Sequence, residues 1–262
     1  MVKLSNYPYQ IKLIVLDLDG VVVNSPIQKL PSPKLTRVIS KLQSQTYVSI
    51  ATGRVWSFAE PIISKLNIQS PVIVAGGAQI IHPQTTKIIW QKTIPSQSLE
   101  QVLTVFRQYP QWSLLANDFT EKAYNHHRIA PKNFKANKPI FFIEQAFIPK
   151  NTANKIKTEI DAIPGVQAIL ARSHKSNLMC VYVLHQNTSK KEALEKLRQL
   201  LNVNKEEVLV VGDGENDYQL FESAGLKVAM ANAANTLKKQ ADLVIGSVET
   251  DSLAHFLETL IP

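Results

Sequence analysis

Short, predominantly apolar runs recur in the first and last thirds of the 262-residue chain and alternate with stretches of helical spacing. IKLIVL (11–16), YVSIA (47–51) and PVIVA (71–75) lead the chain; EVLVV (207–211), LKVAM (226–230) and LVI (243–245) close it. A strand with no polar face must be covered on both faces, and strands that alternate with helices pair in parallel. The pattern predicts an α/β fold built on a parallel sheet. Ser32 and Pro33 read as an N-cap and a first helical residue, ahead of Leu35, Val38, Ile39 and Leu42. Pro61 is expected near a helix break or in a first turn. SKKEALEKLRQLL (189–201) and SLAHFLETLI (252–261) read as amphipathic helices.

The middle third has a different rhythm. IIWQKTI, WSLLA, EKAYN, FFIEQAF, VQAILA and LMCVYVL are strand candidates there, with helices near 96–109 and 152–162. So many strands for two helices predict an α+β insert with a mostly antiparallel sheet, over residues 82–185. Residues 1–81 and 186–262 then form the surrounding α/β domain. Charge follows the same division: 82–185 hold thirteen Lys/Arg against six Asp/Glu, and the remainder sixteen against fifteen. That excess can draw small anions. It lacks a basic helix with interleaved aromatics, so nucleic acid is not an expected partner.

No stretch approaches 18 uninterrupted apolar residues, so no transmembrane helix and no membrane partner are expected. The N-terminus, MVKLSNYPYQIK, lacks the apolar core of a signal peptide. Cys180 is the only cysteine, which excludes an internal disulfide and a cysteine metal cluster. A cytoplasmic protein, monomeric or a small homo-oligomer, fits these features.

Acids sit where the apolar runs end. LIVLDLDGVVV (13–23) carries Asp17 and Asp19, two residues apart and followed by Gly20. EVLVVGDGEND (207–217) carries Asp213, Glu215 and Asp217, with Asn216 between. If both strands are parallel members of one sheet, their carboxyl ends share an edge and the carboxylates converge. Like charges that close require a cation, and an all-oxygen set without histidine or cysteine suits Mg²⁺ rather than zinc. IATGR (50–54) is a third strand exit. There the Thr52 hydroxyl and the N–H groups of Gly53 and Arg54 form a candidate anion site. TSKKEAL (188–194) places Lys190 in the first turn of a helix. Neither the EF-hand nor the Walker A pattern is present.

In order, LDLDG, ATGR, the lysine of TSK, and GDGEND resemble the four motifs of the haloacid dehalogenase-like superfamily. The tail GDGENDYQLFESAGLKVAMANAANTLKKQADLVI resembles its Cof-type (IIB) phosphatases, and the likeness spans most of 11–81 and 188–262. Only 32 residues separate Asp19 from Thr52, whereas 137 separate Thr52 from Lys190, room for the inserted cap of that subgroup. The resemblance implies a Rossmannoid parallel-sheet core and hydrolysis of small phosphomonoesters, such as sugar or polyol phosphates, with Mg²⁺ as cofactor. Asp17 would be the nucleophile that becomes an aspartyl-phosphate, and Asp19 the general acid and base. Metal would be held by Asp17, Asp213 and the Asp19 main-chain carbonyl, with Asp217 supporting them. Thr52, Gly53, Lys190 and Asn216 would hold the phosphoryl oxygens. Candidate cap contacts to a small phosphorylated metabolite are His126, His127, Arg128, Arg172 and Lys175. Sugar phosphomutase chemistry and a non-catalytic phosphometabolite-binding regulator are the alternatives. The sequence departs from the family pattern at Val21, at Gly76, where asparagine is commoner, and at Lys191, which replaces a glycine beside the site or points to solvent.

Overall fold

A computed structural model of the chain describes residues 7–24, 30–117, 129–172 and 177–261, with Arg172 described in its backbone only. Strands in chain order are β1 (Leu13–Leu16), β2 (Tyr47–Ile50), β3 (Val72–Val74), β4 (Gln79–Ile81), β5 (Ile88–Gln91) and β6 (Leu114–Ala116). They continue with β7 (Ile143–Pro149), β8 (Val166–Arg172), β9 (Leu178–His185), β10 (Val208–Gly212), β11 (Leu226–Met230) and β12 (Leu243–Ile245). The chain divides into two compact units. One comprises Met1–Arg54, Ala59–Trp90 and Ser189–Pro262; the other comprises Val55–Phe58 with Gln91–Thr188.

The first unit is α/β. Its main sheet has the order β12-β11-β10-β1-β2, parallel throughout. β1 lies inside the sheet, and all four of its residues are buried. Leu13 and Val15 pack with Leu194 and Leu197 of the Lys190–Leu201 helix and with Val208 and Val210. Fully burying a leucine or valine side chain contributes about 1.5–3 kcal/mol, so this strand is anchored by its own side chains. Register sets the strand exits level. Leu16 is opposite both Val211 and Ile50, the Asp17 N–H donates to the Val211 carbonyl at 3.0 Å, and the Ala51 N–H donates to the Leu16 carbonyl at 2.9 Å.

Two helix readings meet the structure differently. Ser32 caps the Pro33–Leu42 helix as expected, its hydroxyl accepting from the Leu35 N–H at 2.9 Å, with Pro33 in the first turn. The same hydroxyl donates to the Asp251 carboxylate at 2.8 Å, tying this cap to the start of the Ser252–Glu258 helix. Pro61, by contrast, lies inside the Trp56–Lys65 helix, which runs through it. Its missing N–H removes one rung, while Ala59, Ile62 and Ile63 remain buried and hold the helix to the core.

PVIVA also departs from expectation. Ile73 forms a single parallel bridge with Ala51, but the main partner of β3 is β4, antiparallel. The turn between them puts Ala75, Gly76 and Gly77 at φ of 51°, 65° and 102°. A Cβ on Gly77 would fall 2.3 Å from the Ser189 carbonyl oxygen, so the turn presses against the start of the Lys190–Leu201 helix. Glycine is required at 77 for both its torsion and this approach.

The second unit is α+β, with an antiparallel sheet of order β6-β7-β9-β8. The Ser96–Arg107 and Lys150–Asp161 helices cover one face, packing Val102, Phe106, Ile156 and Ile160 against Ile143, Val181 and Val183. Gln145 donates to the carbonyl of Trp112 at 2.8 Å and to those of Phe106 and Tyr109 at 3.3 Å, serving the end of the first helix. EKAYN lies outside the described residues.

Candidate active site

The exits of β1 and β10 assemble the acids, and the exit of β2 brings Thr52 and Arg54 beside them. Asp17 follows β1, is 5% exposed, and accepts from the Lys190 ammonium through Oδ1 at 2.6 Å. Lys190 is equally enclosed and donates also to Asp217 Oδ1 at 2.8 Å. Its place is set locally: Ser189 caps the helix by accepting from the Glu192 N–H at 3.0 Å, which leaves Lys190 as the first helical residue. A buried lysine shared by two carboxylates is the cationic partner that the converging acids demand.

Asp217 is wholly buried and fully committed. Its Oδ2 accepts from the N–H groups of Asp213 and Gly214, both at 3.0 Å, while Oδ1 takes Lys190. Asp213 is partly exposed and keeps its carboxylate facing the β1 exit. A Cβ on Gly20 would lie 2.0 Å from Asp213 Oδ2, and Gly20 has φ +84°, so the glycine after the two acids lets the loops meet. The Asn232 amide group bridges the same pair, donating to the Gly20 carbonyl at 2.9 Å and to Asp213 Oδ2 at 3.2 Å. Its own oxygen accepts from the Val248 N–H at 3.1 Å.

Oxygens of Asp17, Asp213 and Asp217 all lie within 4.8 Å of one another. Burial and the Asp217 charge push the Asp17 carboxyl well up, against the pull of Lys190. Burial, then Asp217 and Asp19, raise Asp213 to about 6, while Lys190 and Asn232 lower it. Burial disfavours the Lys190 charge, but Asp17 and Asp217 outweigh it and hold the ammonium above the usual lysine range. The cluster thus has more negative charge than one lysine neutralises, and its donors are hard oxygens. Both properties fit a small divalent cation.

On the other side of β1, Asp19 meets the β2 exit. Arg54 donates to it through Nε at 3.0 Å and Nη2 at 2.5 Å. Thr52 is buried, and its hydroxyl accepts from the Arg54 N–H at 3.1 Å. Gly53 is partly exposed between them, and Asn216 is exposed in the 3₁₀ turn Glu215–Asp217. The structure therefore joins Asp17, Asp213, Asp217 and Lys190 in one cluster, and Asp19, Thr52 and Arg54 in a second on the neighbouring loop. Lys191 points away and pairs with Glu222 at 2.8 Å on the exposed surface. Gly76 takes a left-handed conformation that asparagine also tolerates. His126, His127, Arg128 and Lys175 lie outside the described residues, and Arg172 is placed only as the last residue of β8.

Two contributors carry no signal in the sequence. The ATGR pattern points to the Arg54 backbone N–H alone, although the Arg54 side chain makes the bidentate contact. Asn232 stands in AMANA as part of a resemblance that assigns it no contact.

Residues 14–257 match the haloacid dehalogenase-like hydrolase family, and the chain belongs to that family. It is 24% identical to the 5-amino-6-(5-phospho-D-ribitylamino)uracil phosphatase YitU of Bacillus subtilis, over 94% of this chain and 96% of that protein. It is 25% identical to the pyridoxal phosphate phosphatase YbhA of Escherichia coli, over 94% and 97% of the two chains. A haloacid dehalogenase-like hydrolase structure from Bacteroides thetaiotaomicron superposes with a TM-score of 0.78 at 22% identity, covering 95% of this chain and 99% of the other. Family and relatives together make the protein a phosphoric monoester hydrolase of the Cof type. Among the described residues no helix is long and apolar enough to cross a membrane.

Proposed function

We propose that the protein is a Mg²⁺-dependent phosphatase of small phosphomonoesters, sugar or polyol phosphates above all, acting through an aspartyl-phosphate. The observation that carries this reading is Asp17, a buried carboxylate at a strand exit with Lys190 on one oxygen and two further carboxylates within 4.8 Å.

In the first step an Asp17 oxygen bonds to phosphorus as the bond to the leaving alcohol breaks, and Asp19 gives that alcohol its proton. In the second, water attacks phosphorus, its proton passes to Asp19, and Asp17 is released with inorganic phosphate. Thr52, the Gly53 N–H, Lys190 and Asn216 hold the phosphoryl oxygens and stabilise charge on the transferring group. Asp17, Asp213 and the Asp19 carbonyl would hold the metal. Asp217, with both oxygens engaged, orients Lys190 and the Asp213 loop. Bound Mg²⁺ supplies positive charge that offsets repulsion between the anionic nucleophile and an anionic substrate.

Substrate selectivity is assigned to the inserted segment 82–185, whose net positive charge suits phosphorylated metabolites. The test is phosphate release from a broad panel of phosphomonoesters, with and without Mg²⁺ and with no bisphosphate activator present. Hydrolysis of none of them would sink the reading in favour of a phosphometabolite-binding regulator.

A further inference from the structure

We propose that the Arg54 side chain is a positioning residue for Asp19, fixing the carboxylate that handles the leaving group's proton. The proposal rests on the phosphatase reading above and assigns a residue that reading does not use.

The contact is two-pronged. Arg54 Nε reaches Asp19 Oδ2 at 3.0 Å and Nη2 reaches Oδ1 at 2.5 Å. A planar fork on both oxygens fixes the plane of the carboxylate as well as its distance, which a single donor does not. Both ends of the pair are held by their own backbones. The Arg54 N–H donates to Thr52 Oγ1 at 3.1 Å, and its carbonyl accepts from the Ala75 N–H at 2.7 Å. Arg54 is therefore tied to the exits of β2 and β3 together. Asp19 sits in a closed loop in which the Val22 and Val23 N–H groups donate to the Leu18 carbonyl, both at 3.0 Å, and Gly20 donates to Val23 at 2.7 Å.

Exposure indicates what the pair is for. The Asp19 side chain is 37% exposed and that of Arg54 16%, and an ion pair so open to water stabilises a fold by about 0–1 kcal/mol. Its consequence lies in placement. The two acids of DLDG also have separate cations: Lys190 holds Asp17 and Arg54 holds Asp19. The same loop that presents Thr52 to the phosphoryl group thereby sets the direction of the proton carrier.

Leaving-group dependence tests this. A 4-nitrophenolate departs without a proton, whereas an alkoxide needs one, and kcat/KM reports only the steps through transfer to Asp17. Asp19→Ala is the benchmark, expected to lose about 100-fold more kcat/KM on the best alkyl phosphate of the panel than on 4-nitrophenyl phosphate. Arg54→Ala should show the same preference at about ten-fold. Arg54→Lys should not restore it, and added guanidinium ion should restore part of the alkyl activity of Arg54→Ala. Arg54→Gln serves if the alanine variant does not fold. Equal losses on both substrates, or full recovery with lysine, would overturn the proposal by showing a phosphate contact or a bare charge effect. Wild-type protein inactive on both substrates would instead overturn the phosphatase reading, and the proposal with it.

Discussion

Asn232 donates to Asp213 Oδ2 at 3.2 Å from the same amide group that holds the Gly20 carbonyl. One side chain thus fixes a proposed metal ligand relative to the loop that carries the proposed nucleophile. Outer hydrogen bonds of this kind are worth about 10–100-fold in metal affinity. Asn232→Ala should therefore weaken Mg²⁺ binding by about ten-fold, measured by titration calorimetry without substrate. Unchanged affinity would remove Asn232 from the site.

Asp17→Asn should lower turnover by at least about 10³-fold, as loss of a nucleophile does elsewhere. The fold should survive, because burial and Asp217 already disfavour the charge at this position. Metal-free Asp17→Asn is expected to melt no lower than metal-free wild type. Retained activity would exclude Asp17 as nucleophile.

The effect of Mg²⁺ on stability should depend on pH through Asp213. Burial, Asp217 and Asp19 raise its carboxyl to about 6, so the folded protein binds that proton more tightly than the unfolded chain does. The resulting stabilisation is fully present below the unfolded value of about 4 and is lost as pH rises through the folded one. Metal and proton compete for the same oxygens, so Mg²⁺ should raise Tm little at about pH 5 and most above about pH 7. Thermal melts across that range check this; an equal shift at both ends would place the metal elsewhere.

Gly77→Ala should cost at least about 2 kcal/mol in urea unfolding, since φ of 102° is strained for alanine and the new methyl meets backbone. The displaced Ser189–Lys190 start should also reduce turnover in the variant that remains folded. A normal unfolding midpoint would mean that the turn relaxes freely.

Ser32→Ala should destabilise by about 1 kcal/mol through loss of the cap, and leave kcat/KM unchanged. A fall in activity without a fall in stability would contradict a purely structural role for the Ser32–Asp251 contact.

What the sequence displays is local. Ser32, Ser189 and the apolar runs at 13–16 and 208–211 act within a few residues of themselves, so periodicity and capping chemistry expose them. The acids can be paired from the sequence alone because they follow those runs directly. The β3–β4 hairpin is not visible there. Its turn is made by three left-handed residues in AGG, and QII is too short to declare a strand. Arg54 and Asn232 escape for another reason: Arg54 reaches Asp19 from 35 residues away, and Asn232 reaches Asp213 and Gly20 from 19 and 212 residues away. No local pattern encodes a side chain's destination at that range. Lys191 is ambiguous in the same way, since its partner Glu222 lies 31 residues on.

The neighbours of β1 arrive at very different times during synthesis. β2 follows it after about one helix, but β10, on its other side, begins at Val208. A nascent chain halted before that point leaves β1 with one open edge, a ready template for wrong pairing. It also leaves Asp17 without Asp213 and Asp217, which follow β10. On the proposed mechanism, chemistry and edge protection are completed by the same late segment, so a chain truncated before β10 should show no phosphatase turnover and should be prone to aggregation and proteolysis. Activity in a cell extract would then count only molecules whose last third has been made and docked.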